Sequence, residues 1–199
     1  MKILAVGMNY AKHNKELDGT LYKPEEPVIF AKPDSALLKD GKPFFIPDFT
    51  KQCDYETELV IRICRLGKNI APRFAYRYYD AVTVGIDFTA RDLQRKFRKE
   101  GLPWELCKGF DSSAAIGDFV SKEELPDIQQ IPFHLAKQGP QNAVLTIAPV
   151  SIRSARRPFL ASSIYIGVLA GYTLNVNSSA PIEWPLNMSA AAQIFSKPP

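Results

Sequence analysis

Two apolar, β-branched segments of this chain are interrupted by acids, and that combination limits the folds open to it more than any other feature. Asp54-Tyr55-Glu56-Thr57-Glu58-Leu59-Val60-Ile61 and Ala81-Val82-Thr83-Val84-Gly85-Ile86-Asp87 each read as a strand. Side chains two apart on a strand share a face, with Cα atoms about 7 Å apart, so Glu56 and Glu58 can lean onto one point. Carboxylates planted together in strands repel one another unless a counter-charge sits between them, and a divalent cation supplies one. An all-oxygen set of Glu56, Glu58 and Asp87 suits Mg2+, Mn2+ or Ca2+ better than Zn2+ or copper. Three carboxylates fill about half of a roughly six-position shell and leave room for water or a chelating substrate. Glu-x-Glu on a solvated strand face is also ordinary polar alternation, so spacing alone leaves both readings open.

The rest of the chain alternates strands and turns with little long helix. The opening Met1-Lys2-Ile3-Leu4-Ala5-Val6-Gly7 reads as a first strand, its apolar run being too short for a signal peptide. Val28-Ile29-Phe30 and Pro43-Phe44-Phe45-Ile46-Pro47 read as short strands, and the strand carrying Glu56 and Glu58 runs on until Leu66-Gly67 breaks it. Helical pattern is confined to 72–80 and 89–99. These 199 residues, 46% hydrophobic and 23% charged, fit one domain with short helices on a predominantly β framework, an α+β arrangement. No stretch approaches the ~20 apolar residues of a membrane-spanning helix. Cys53, Cys64 and Cys107 are odd in number and lack metal-ligand spacing, which favours reduced thiols and a cytoplasmic location. Cys53, beside Asp54, is expected to pack with part of its surface exposed.

Five blocks tie residues 1–135 to a known family. They are Gly7-Met8-Asn9-Tyr10-Ala11-Lys12-His13, Phe30-Ala31-Lys32-Pro33, Asp54-Tyr55-Glu56-Thr57-Glu58-Leu59, Asp87-Phe88-Thr89-Ala90-Arg91-Asp92-Leu93-Gln94, and Gly101-Leu102-Pro103-Trp104 leading to Lys108-Gly109-Phe110-Asp111. In order and spacing they resemble the fumarylacetoacetate hydrolase family, the small acylpyruvate hydrolase and dienedioate isomerase branch in particular. The resemblance implies a mixed β-sandwich roll, a homodimer, and Mg2+ or Mn2+ on Glu56, Glu58 and Asp87. It also implies that His13 and Glu16 lie on a segment that orders over bound substrate and activate water there, and that Lys108 helps bind a small 2-oxo or β-diketo acid.

The residues themselves allow those roles. His13 and His134 are the two side chains with a near-neutral intrinsic pKa, and Glu16 would lie beside His13 if residues 11–17 form a helical turn. A surface His and Glu on an exposed segment is the alternative, and His134 reads as a strand residue. Lys108 suits a substrate that develops enolate charge, or else snorkels at the surface. Gln94 is a candidate for a substrate carbonyl or water, and Arg91 for substrate, for Asp92 or for a buried carboxylate. The reaction implied is hydrolysis of a carbon–carbon bond in an acylpyruvate or fumarylpyruvate, with oxaloacetate decarboxylation or enol–keto isomerisation as alternatives on the same site.

From about residue 136 the sequence departs from the family. Residues 136–199 hold five Lys or Arg and a single acid, Glu183, so the whole formal charge of +4 belongs to this part. The family's Thr-Gly-Asp and Thr-Gly-Thr-Pro motifs are absent, with Gly167-Val168-Leu169-Ala170-Gly171-Tyr172-Thr173 the nearest echo. A shifted reading frame would produce such a break and an incomplete sheet. A divergent but folded C-terminal part is the other reading, with 164–169 and 172–176 as its strands. Arg153, Arg156 and Arg157 lack interleaved aromatics or any nucleic-acid motif, so no nucleic-acid partner is expected. A metal-binding remnant without turnover, or a basic-tail interaction protein, is the reading from another class.

Overall fold

A computed structural model of the chain describes residues 2–7, 28–38 and 42–125, together with the backbone of four later strands. The two acid-bearing segments form its central pair. β4 (Cys53–Ile63) runs antiparallel to β5 (Tyr79–Ala90), with Glu56 opposite Asp87, Glu58 opposite Gly85 and Asp54 opposite Thr89. Residues opposite one another in a ladder share a face, so this register gathers the acids on one side of the pair.

The other side is the core. Phe44 stacks on Phe88 with ring centroids 3.7 Å apart, and Cys53, Tyr55, Ile86 and Ala115 pack around them. Both faces of the pair are therefore buried, which explains the near-continuous β-branched runs in place of clean alternation.

The sheet is mixed. β1 (Lys2–Gly7) pairs antiparallel with β2 (Val28–Lys32) and parallel with β10 (Ile164–Leu169), which in turn lies antiparallel to β4. On the far side β5 pairs with β6 (Ala114–Ile116), itself parallel to β3 (Leu37–Leu38). β7 (Val120–Ser121) and β11 (Leu174–Asn175) add to β5 and β4, and β8 (His134–Ala136) with β9 (Val144–Thr146) forms a separate two-stranded sheet. The C-terminal part thus has strand backbone at 164–169 and 174–175, and His134 lies in a strand.

Two short helices follow β5. α1 (Arg91–Glu100) buries Arg91, Gln94 and Phe97, three residues apart on one face, and ends where Gly101 takes a φ of 69°. α2 (Glu105–Lys108) ends on buried Lys108. Ala90, Phe97 and Cys107 pack together, with Leu93, Trp104 and Phe110 against them, and fix both helices over the acidic face.

Two local expectations are corrected. Residues 43–47 form no strand beyond a single bridge at Phe44, whose neighbours Pro43 and Pro47 cannot donate to a ladder. Cys53 is buried rather than partly exposed, since it stands on the core face of β4. The helical pattern at 72–80 is a 3-10 helix, Pro72–Arg77. Among the described residues no helix is long and apolar enough to cross a membrane.

Candidate metal centre

Glu56, Glu58 and Asp87 are all buried, and each offers an oxygen within 4.8 Å of the other two. Ligands on a small octahedral cation about 2.1 Å away lie at most about 4.2 Å apart, so modest side-chain rotation closes the set. Glu58 stands opposite Gly85, where a Cβ would come within 2.7 Å of Val60 Cγ2 and 2.8 Å of the Ala115 carbonyl oxygen. The strand pair has no room for a side chain there.

A second layer of charge surrounds the triad. Lys108 Nζ donates to Glu56 Oε2 at 2.8 Å, Asp87 Oδ2 at 2.7 Å and Thr89 Oγ1 at 2.6 Å. Arg91 donates to Asp54 Oδ2 at 2.6 Å, to Glu56 Oε1 and to Gln94 Oε1. Lys32 Nζ lies 2.8 Å from Asp87 Oδ1, an ion pair by distance without hydrogen-bond alignment. It also donates to the Ser113 carbonyl and hydroxyl and to the Lys108 carbonyl. Among the described residues, four buried carboxylates (Asp54, Glu56, Glu58, Asp87) thus meet three buried cations (Lys32, Arg91, Lys108).

Glu58 is the carboxylate left over. Both its oxygens are buried without a hydrogen-bond partner. Burial first, then the Asp87 and Glu56 charges, push its carboxyl well above the usual range. Burial alone would lower Lys108, but Asp87 and Glu56 raise it and keep it an ammonium. Burial dominates at Lys32 and lowers it despite Asp87. An orphaned buried carboxylate beside two others, all oxygen donors, fits a hard divalent cation such as Mg2+ or Mn2+. The thiols do not join in: burial pushes Cys53 up to about 12 and Cys107 up to about 11.

The structure therefore gathers Glu56, Glu58, Asp87, Lys108, Arg91 and Gln94 in one cluster. Of the partners open to Arg91, it takes buried carboxylates and not Asp92, which instead accepts from Thr50 Oγ1 at 2.6 Å. Lys108 is buried rather than snorkelling. His13 and Glu16 lie outside the described residues. Two members had no role assigned from sequence. Asp54 extends the i, i+2 alternation of Glu56 and Glu58, a signal present in the sequence, whereas Lys32 reaches the site only through the pairing of β2 with β1.

The chain is thus a mostly β protein whose mixed sheet carries a buried acidic triad with lysines closing over it. The chain belongs to the fumarylacetoacetate hydrolase family, because residues 2–144 match the profile of the fumarylacetoacetate (FAA) hydrolase C-terminal domain. It is 37% identical over 137 residues to the oxaloacetate tautomerase FAHD1, mitochondrial, of Rattus norvegicus, covering 69% of this chain and 61% of that one. It is 36% identical over 139 residues to the mitochondrial oxaloacetate decarboxylase of Dictyostelium discoideum, covering 69% and 63%. The chain spans less than two thirds of the length of these relatives. Its fold matches the crystal structure of fumarylpyruvate hydrolase from Pseudomonas aeruginosa in complex with Mn2+ and pyruvate, with a TM-score of 0.71 and 27% identity over 88% of this chain and 84% of that one.

Proposed function

We propose that the chain is a divalent-cation-dependent enzyme that handles the enolate of a small 2-oxo acid and cleaves the carbon–carbon bond of an acylpyruvate or fumarylpyruvate by hydrolysis. The observation that carries this reading is the pair of unpartnered, buried Glu58 oxygens beside Glu56 and Asp87. Mg2+ or Mn2+ on those three residues would supply Lewis acidity toward the keto and carboxylate oxygens of such an acid. His13, backed by Glu16, takes a proton from water, whose oxygen adds to the distal carbonyl. The carbon–carbon bond then breaks, its electron pair enters the pyruvate enolate, and His13 returns the proton to the enolate carbon. Lys108 lends positive charge to the enolate oxygen in a dry site. Arg91 holds Glu56 in place, and Gln94, whose Oε1 accepts from Arg91, offers its amide N–H to a substrate oxygen.

A second reading is oxaloacetate tautomerisation or decarboxylation, which needs the same enolate stabilisation and no hydrolytic water. The names of the rat and Dictyostelium relatives favour it. A homodimer in the cytoplasm, formed by one catalytic domain over residues 1–199, completes the proposal.

A panel of acylpyruvates, fumarylpyruvate and oxaloacetate, each with and without Mn2+ or Mg2+, separates these outcomes. Pyruvate together with a second carboxylic acid marks hydrolysis, carbon dioxide from oxaloacetate marks decarboxylation, and loss of enol absorbance alone marks tautomerisation. Turnover undiminished by a chelator would contradict all three.

A further inference from the structure

Each oxygen of Glu56 and Asp87 already faces a cation: Arg91 and Lys108 on Glu56, Lys32 and Lys108 on Asp87. Among the described residues, Glu58 alone of the triad has both oxygens without a hydrogen bond or a protein cation, while Asp87 Oδ1 has the Lys32 ion pair by distance. A divalent cation drawing one oxygen from each of the three residues must therefore share or take over an oxygen that a protein cation holds. The three protein cations are not equally tied down. Arg91 is fixed by Asp54 and Gln94, which lie outside the triad, and Lys32 by the Ser113 carbonyl, the Ser113 hydroxyl and the Lys108 carbonyl. Among the described residues, Lys108 Nζ has the Thr89 hydroxyl as its one hydrogen-bonding partner beyond two triad carboxylates, with the Phe30 ring centroid 5.2 Å away. It also bridges two of the three carboxylates at once.

We infer that Lys108 is the internal counter-ion of the triad, competing with the divalent cation for Glu56 and Asp87 and freed toward an anionic ligand when that cation binds. With the cation absent, the carboxylates take up the charge of the protein cations, and Lys108 is spent on Glu56 and Asp87. With the cation present the balance turns positive, and the Lys108 ammonium is available to a carboxylate or enolate. Occupancy of the triad thus gates the charge that the substrate needs. This inference rests on the reading of Glu56, Glu58 and Asp87 as the ligands of the cation.

The test is calorimetric titration of Mn2+ alone into the chelator-stripped full chain and into its Lys108→Gln and Lys108→Met variants. Glutamine keeps an N–H donor for Glu56 and Asp87 while removing the charge. Unit charges a few ångströms apart in a buried site interact strongly enough that both variants should bind Mn2+ roughly ten-fold or more tightly than the wild type. Mn2+ should also raise the thermal midpoint of Lys108→Gln more than that of the wild type, because it makes good a missing charge. Wild-type binding with no gain in either variant overturns the counter-ion role and leaves the ligand assignment standing. Absence of binding in all three chains overturns both. A Lys108→Gln chain that stays unfolded in excess Mn2+ also overturns the inference, since the divalent ion would then fail to replace the ammonium.

Discussion

Among the described residues, Glu58 has both side-chain oxygens buried without a hydrogen-bond partner. A carboxylate with both oxygens buried and unpartnered is stable only if it keeps its proton or gains a cation. Glu58→Gln removes the ionisable group at nearly constant volume. In chelator at pH 8 the variant should unfold at higher urea than the wild type, because the cost of keeping an ionisable carboxyl buried at that pH is gone. The same variant should lose Mn2+ binding. Urea titrations with and without Mn2+ read both effects, and a variant that is both less stable in chelator and undiminished in Mn2+ binding would exclude the assignment. Much of this site was legible: spacing alone put Glu56 and Glu58 on one face, and the face is where the alternation places it. The burial of that face was not legible, because Glu-x-Glu reads the same whether solvent or α1 and α2 lie above it. Lys32 was invisible as a partner because its approach depends on the pairing of β2 with β1, which no local pattern specifies.

Elements place these residues through two devices. The β4–β5 register sets Glu56 against Asp87, and a slip of one residue would turn the acids toward Phe44 and Phe88. α1 then directs Arg91 and Gln94 at the acids from its buried face. Its first turn is tied to the segment before β4 by Asp92, which accepts from Thr50 Oγ1 at 2.6 Å and from the Lys51 N–H at 2.9 Å. Burial works to raise the Asp92 carboxyl, but these bonds and the Leu93 N–H hold it below its ordinary value. A depressed carboxyl contributes stability that is present above the unfolded value, about 3.9, and is lost as pH falls through the folded one. Asp92→Asn should therefore cost about 1 kcal/mol at pH 7, with its deficit shrinking as pH falls below the unfolded carboxylate value of about 3.9. Thermal melts across that range decide it, and a deficit that persists at acid pH would mean that the charge is not what matters. Helix 91–100 was legible from its periodicity at 89–99, whereas 43–47 was misread as a strand because its aromatic content mimics one. Phe44 instead enters the core as a single side chain stacked on Phe88.

At the scale of the whole molecule, the sheet is closed by chain from its far end. β10 (Ile164–Leu169) lies between β1 and β4, so without it two strand edges would be bare beside the acidic pair. The compositional break near residue 136 was plain from charge alone, and apolar runs marked 164–169 as a strand. Its position between β1 and β4 was not, since pairing across more than a hundred residues leaves no local trace. A chain ended at residue 144, the limit of the family match, should aggregate or melt without a cooperative transition. Retention of a sharp melt by that truncation would make β10 dispensable.

The account stands on the convergence of three side chains upon one ion. Anomalous scattering from crystals grown with Mn2+ measures this directly. The expected result is one manganese peak about 2.0–2.3 Å from an oxygen of each of Glu56, Glu58 and Asp87. A peak elsewhere, or none at this triad in a crystal that holds Mn2+ at other positions, would contradict it.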